Sequence, residues 1–516
     1  MRPIVPGGRR FGLLAVAVAL AGSLVAPAAV AAPSPVSEIA STFGFRKAVT
    51  LEGIREHQAA LQAIADANNG TRLAGTTGYD ASAEYVADTL EAAGYDVTIH
   101  SFTFQLVSDR TPPEVQQIAP TAVTYVDGVD YRTMSYSGSG DVTAPVSTTA
   151  GPLGCEPADW AGFPAGNIAL VQRGACTFRL KATNGVAAGA AAVIVYNNIP
   201  GLLAGTLSEP LFSHPVIGIT QALGQELVAT PGLVMRIRTD TVAEDRETVN
   251  VIAETAGGDP DRVIVVGAHL DSVASGPGIN DNGSGSATIL EVAETLGAQD
   301  REVRNKIRFM WFGAEEHGLI GSNRYVDSLS EPERDRIELM LNFDMIGSPN
   351  FVRFVYDGDN SAFPVGPGAA DGPEGSGEIE RVFHDYFAAV GLASAETPFS
   401  GRSDYGPFIA AGIDIPAGGL FTGAEGIKTT EQAAVYGGTA GVAYDPCYHL
   451  ACDTYANNSH TGLDQMSDAV AHVVLHYSKQ DFAKYPLLDP AGPVSGATGN
   501  SGGGGLHDHA AVTVDR

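Results

Sequence analysis

Three short apolar runs in this chain each end on residues that can carry a proton or hold a metal. Val263–Ala268 leads into His269-Leu270-Asp271, Ile307–Phe312 into Gly313-Ala314-Glu315-Glu316, and Leu339–Phe343 into Asp344. A strand that is apolar throughout, rather than alternating, is buried on both faces, which is the property of parallel sheets covered by helices. In open α/β sheets, ligands bind outside the carboxyl ends of the strands. The pattern therefore predicts an α/β fold with a mixed, mostly parallel central sheet flanked by helices and a site at one sheet end. Residues 50–110 read as helix, helix, strand, with an apolar stripe at Tyr85, Val86, Leu90 and Ala93 that stops at Gly94. Further helical patterns lie at Ser286–Leu296, Ile379–Val390 and Met466–Phe482.

The texture changes between residues 115 and 245. Short β-rich runs (Ile168–Val171, Ala191–Tyr196, Val216–Ile219, Val234–Ile237) alternate with Gly and Pro turns, as in a separate small module. The larger unit would then be discontinuous, 32–114 and 246–488. From Asp489 the chain is rich in Pro, Gly and Ser, and residues 489–516 read as a disordered tail.

Arg9 and Arg10 precede the apolar run Phe11–Val25 and the small-residue string Ala28-Ala29-Val30-Ala31-Ala32. This is the order of a secretory signal peptide, expected over residues 1–31, and the run is short for a membrane span. The paired arginines hint at the twin-arginine route but lack its usual flanks, which leaves the export route open. A secreted, extracellular protein, free of the membrane once that segment is cleaved, is the expectation. The net charge of −29 repels nucleic acid and anionic membrane surfaces, while 44% hydrophobic residues suffice for a large core. In an oxidising compartment the four cysteines should form two local disulfides, Cys155–Cys176 and Cys447–Cys452. The alternative, zinc thiolates, lacks the usual C-x-x-C spacing.

The polar strand ends, the turn Gly278–Gly283 and the segment Asp445–Asp453 together offer two imidazoles and four carboxylates: His269, His449, Asp281, Glu315, Glu316 and Asp344. Taken singly, each has a plain structural reading: a hydrogen-bonded histidine, a solvated Glu-Glu pair, a helix cap. Jointly, that many buried carboxylates repel and take up protons unless cations neutralise them. Two zinc ions supply +4 and accept this mixture of nitrogen and oxygen. Asp271, two residues after His269, is placed to orient that imidazole.

The segments Gly267-Ala268-His269-Leu270-Asp271-Ser272, Gly278-Ile279-Asn280-Asp281, Gly313-Ala314-Glu315-Glu316, Leu341–Gly347 and Cys447-Tyr448-His449 closely resemble the secreted di-zinc aminopeptidases, the group of the bacterial leucine-type aminopeptidases and aminopeptidase Y. The resemblance implies a zinc-peptidase fold and hydrolysis of N-terminal residues, preferably large apolar ones such as Leu, from peptides with a free N-terminus. His269 and Asp344 would hold one zinc, Glu316 and His449 the other, and Asp281 would bridge them. Glu315 would be the general base toward zinc-held water, and Tyr448 would stabilise the tetrahedral intermediate. Met345, Arg402 and Phe421 would line the pocket for the first side chain. A monomer is expected. Within the 115–245 module, Gly166–Gly174, Cys176-Thr177-Phe178, Lys181 and Gly189-Ala190 resemble the protease-associated domain, which is often inserted into such peptidases and is not catalytic.

Some residues depart from the family pattern. Asn282 stands where a second Asp is common, at a position that is not a ligand. His317 adds an imidazole beside Glu316, and we read it as non-ligating. Calcium is the weaker cofactor expectation: Asp464 and Asp468 fit the carboxylates that bind it in some members, but the chain start offers Ala48 and Val49. Two further motifs mislead. His472 and His476 have metal spacing but no H-E-x-x-H glutamate, and should flank the apolar stripe of their helix. Gly499-Asn500-Ser501-Gly502-Gly503 spells a serine-hydrolase elbow inside the Gly-rich tail. The alternatives that stay open are a metal-free, peptidase-like binding protein and a related zinc enzyme, a carboxypeptidase or a glutaminyl cyclase. A carboxypeptidase needs a cationic anchor, for which Arg402 is the one candidate.

Overall fold

The structure is a computed structural model that describes residues 35–203, 205–299, 301–366, 368–494 and 496. The expected signal segment, most of the expected tail and the Gly499–Gly503 motif lie outside the described residues.

Near-continuous apolar runs do become buried strands. Asp259–His269 pairs in parallel with Asn305–Phe312 on one side and with Ile337–Phe343 on the other. Ile337–Phe343 pairs in parallel with Ala417–Phe421. Along Asp259–His269 successive side chains enter different cores: Ile264, Val266 and Ala268 pack on one face of the sheet, Val263 and Val265 on the other. A strand clothed on both faces has no polar face to alternate with, so its sequence reads as one apolar run. Helices Leu51–Ala67, Thr77–Ala92, Gly283–Ala298, Ser376–Ala389 and His460–Lys479 contribute to the first core.

The eight-stranded sheet is completed by Phe354–Tyr356 and Ala395–Thr397 at one edge and by Asp96–Asp109 and Thr241–Glu254 at the other. The last two form an antiparallel ribbon in register from Asp96↔Glu254 to Asp109↔Thr241. A second eight-stranded sheet is inserted between the ribbon strands. It is built from residues 114–239, and its parallel centre is Gly140–Thr148, Ile168–Gln172, Ala192–Tyr196 and Val216–Ile219. The boundaries read from the sequence at 115 and 246 fall inside the strands Glu114–Ala119 and Thr241–Glu254. Residues 244–247 of the ribbon are charged and exposed, so they resemble the module's turns rather than a continuation of the larger sheet. Among the described residues, no helix is long and apolar enough to cross a membrane.

Candidate active site

Each site residue stands where backbone geometry puts it. His269 is the last residue of its strand, Asp344 directly follows Phe343, and Glu315 and Glu316 lie in the turn after Phe312. Asp281 precedes the helix Gly283–Ala298, which reaches the strand ends because Gly285 has no side chain: a Cβ there would sit 2.1 Å from the Phe343 carbonyl oxygen. Asn282 caps this helix. Its Oδ1 accepts from Gly285 N at 2.9 Å and from Met345 N at 3.2 Å, while its Nδ2 donates to Phe343 O at 2.9 Å. An aspartate could not make that donation, which gives the departure from the family pattern a structural role here.

Two donor groups face each other across Asp281. His269 Nε2 lies 3.3 Å from Asp281 Oδ1 and 3.3 Å from Asp344 Oδ1. His449 Nε2 lies 3.1 Å from Asp281 Oδ2 and 3.1 Å from Glu316 Oε2. In each trio the ligand atoms lie within 4.8 Å of one another. His269 Nε2 and both Asp281 oxygens are buried without a hydrogen bond of proper geometry. That donor set fits two zinc ions, since each trio offers one nitrogen and carboxylate oxygens and the shared aspartate gives one oxygen to each.

The charges agree with the donor set. Burial pushes Glu316 up to about 7, against the pull of His449, and pushes Glu315 well above the carboxylate range, against the pull of His269. Burial opposes the His269 cation, yet Asp344 and Glu315 hold it well above the usual imidazole value. Burial also opposes the Asp281 anion, but the two histidines hold it well below the ordinary carboxylate range. Carboxylates pressed toward protonation in one buried site are the signature of a place completed by cations.

Access is from the His449 side. That side chain is 16% exposed, whereas His269, Asp281, Glu316 and Asp344 are at most 2% exposed. The Tyr448 ring stacks on His449 with centroids 3.8 Å apart. Cys447 and Cys452 are disulfide-bonded around this pair, and Cys155 is bonded to Cys176 between two loops of the inserted module. Met345 and Phe421 are buried in the second core, and Arg402 is half-buried beside Ser403.

Other expected residues settle as follows. The Asp271 carboxylate lies 3.6 Å from His269 Nδ1, and the closer partner of that nitrogen is the Asp271 carbonyl oxygen at 3.2 Å. His317 belongs to neither trio. Burial lowers its pKa, and its ring packs edge-on against Phe104. Asp464 and Asp468 belong to no metal-type cluster among the described residues, and Asp468 pairs with Arg46 at 3.5 Å. His472 does not flank its helix stripe. It is buried, stacked on Tyr386, with Nδ1 2.7 Å from Thr42 Oγ1, because a neighbouring helix covers that face.

Several supporting residues escape sequence reasoning. Arg72 is fully buried, and its guanidinium donates to the carbonyls of Leu270, Pro277 and Gly278, bracing both the His269 strand end and the Asp281 turn. Asp453 accepts from Asn280 N at 2.9 Å and from Asp281 N at 3.0 Å. Ser403 Oγ donates to Asp344 Oδ2 at 2.6 Å and accepts from Asn342 Nδ2 at 2.8 Å.

A mixed sheet whose strand ends present two facing donor trios joined by one aspartate defines a metallopeptidase. The chain belongs to peptidase family M28, whose model matches residues 250–474, and carries a PA domain, matched over residues 140–227. It is 46% identical over 449 residues to an aminopeptidase of Pseudomonas aeruginosa, covering 84% of this chain and 82% of that one. It is 47% identical over 377 residues to probable leucine aminopeptidase 2 of Aspergillus fumigatus, covering 71% and 73%. Its fold is similar to that of the aminopeptidase from Aneurinibacillus sp. strain AM-1 (TM-score 0.66, 27% identity, 88% and 98% of the chains). It is also similar to the zinc aminopeptidase BSAP from Bacillus subtilis (TM-score 0.59, 27% identity, 85% and 98%). The chain is an aminopeptidase, and its family membership implies zinc.

Proposed function

We propose that this protein is a secreted aminopeptidase that uses two zinc ions to remove N-terminal residues, large apolar ones such as Leu by preference, from peptides. The observation that carries the reading is the split of Asp281, with one oxygen toward His269 and Asp344 and the other toward His449 and Glu316. Bound there, zinc supplies Lewis-acid polarisation of the peptide carbonyl and activates water.

The chain's own residues do the rest. Glu315 is fully buried beside the Glu316 ligand, and its pKa is raised by burial, so it is suited to take a proton from water and hand it to the leaving amine. The Tyr448 hydroxyl is the candidate donor to the developing oxyanion. Glu315 and Asp344 are the acidic candidates to receive the substrate's free ammonium. Met345 and Phe421 supply an apolar setting for the first side chain, favouring it by about 0.8 kcal/mol per buried methylene. The two disulfides are those expected of a protein matured in an oxidising compartment. A metal-free binding protein would have no need of two complete donor trios.

The test is hydrolysis of leucine p-nitroanilide beside its N-acetylated counterpart, with zinc measured in the same sample. Release from the free amine and two zincs per chain are expected. Equal release from the acetylated substrate sinks the reading.

A further inference from the structure

The inserted module shares a cavity with the donor residues of the peptidase. A cavity of about 320 Å³ is lined by Glu316 and His449, two of the donor residues, together with Arg132, Thr133 and Thr206 of the module. Its size lies within the range of ligand sites. A substrate bound with its N-terminus among the donor trios would extend toward the module.

Arg132 is held firmly. It lies on the strand Tyr131–Thr133, paired with Gly218 of Val216–Ile219. Tyr131 is buried and its hydroxyl donates to Pro113 O at 2.8 Å. Met134 N, just past the strand, donates to Val216 O at 3.1 Å. Yet among the described residues the Arg132 guanidinium makes no hydrogen bond or ion pair. The module's other arginines are all engaged: Arg236 with Asp141 and Glu114, Arg238 with Glu114, Arg173 with Asn197, and Arg179 with the Leu207 and Ser208 carbonyls. In a chain of net charge −29, an unengaged guanidinium that lines the metal-site cavity from a backbone held in a strand is suited to accept an anion. A guanidinium matches a carboxylate with two parallel N–H donors. The anion that every unblocked peptide carries at its far end is the C-terminal carboxylate.

Building on the aminopeptidase reading, we infer that Arg132 binds the C-terminal carboxylate of short peptide substrates, so that the module selects free oligopeptides of a few residues over long or C-terminally blocked ones.

The test compares purified full-length protein on leucyl peptides of two to five residues, each as free acid and as C-terminal amide. The wild type should show a kcat/KM about tenfold higher for the acid than for the amide at the favoured length, the scale of one charge-assisted hydrogen-bonded contact. In Arg132→Gln that ratio should fall toward one, chiefly through KM of the acids, and Arg132→Lys should restore part of it. A wild-type ratio near one at every length overturns the inference, and that measurement needs no variant. So does an Arg132→Gln protein that loses acid and amide equally. Failure of the wild type to cleave leucine p-nitroanilide would instead overturn the aminopeptidase reading.

Discussion

The Asp271 carboxylate accepts the backbone N–H of Glu315 at 3.1 Å, and its second oxygen accepts that of Glu316 at 3.3 Å. The residue expected to steer His269 from the side therefore also fixes the turn that aims Glu315. Asp271→Asn keeps the shape but replaces one acceptor by an NH2 group facing another N–H. We expect kcat on leucine p-nitroanilide to fall by about 10–100-fold, the usual cost of disturbing such a support. Steady-state kinetics check this, and an unchanged kcat would mean that the turn holds itself.

Glu315 directly precedes Glu316, a member of one candidate donor trio, without belonging to either trio itself. Glu315→Gln should lower kcat by at least ~10²-fold while zinc stays bound, because the amide cannot carry the proton. Elemental analysis decides: loss of zinc from this variant would make Glu315 a ligand.

How much of this was legible in the sequence depended on how local each signal is. The three central strands were, because burial on both faces leaves an uninterrupted apolar run, and the polar residue ending each run announces the site. The ribbon Asp96–Asp109 with Thr241–Glu254 was legible only in part, since the stretch 244–247 is charged and its pairing spans the whole inserted module. Arg72 gave no signal. It is a single arginine in a loop between two helices, and its carbonyl partners lie 198 to 206 residues away. Asp453 likewise acts on backbone groups 172 and 173 residues distant. Such braces serve the peptide backbone, whose position no side-chain pattern reports.

The disulfide Cys447–Cys452 brackets Tyr448 and His449, and His449 adopts a left-handed backbone with φ of 56°. A β-carbon residue in that region is held by its surroundings at a cost. Replacing both cysteines by serine should loosen the loop, lower the zinc content from two toward one and reduce activity. Unchanged zinc and activity would show that the Asp453 bonds to the Asn280–Asp281 backbone suffice.

Glu380 offers a test far from the chemistry. Its side chain is fully buried, with Oε2 accepting from Gly358 N at 2.8 Å and Oε1 3.6 Å from His384 Nε2. Burial, reinforced by Asp359 and Asp357, pushes its pKa up to about 10, while burial lowers His384 to about 4, so no imidazolium compensates. Below the unfolded pKa, near 4.3, both states hold the proton and the group costs nothing. Above it the unfolded chain ionises Glu380 and the folded chain does not, so the group destabilises the fold by about 1.4 kcal/mol per pH unit until the pH approaches the folded value. Glu380→Gln keeps an oxygen to accept the Gly358 N–H and removes the titration. The variant should therefore gain Tm over the parent as the pH rises from 5 to 8.5, with little difference at pH 5. Thermal unfolding across that range checks it. A Tm difference that stays constant with pH, or that turns against the variant at pH 8.5, would show that the folded state holds Glu380 as a compensated anion.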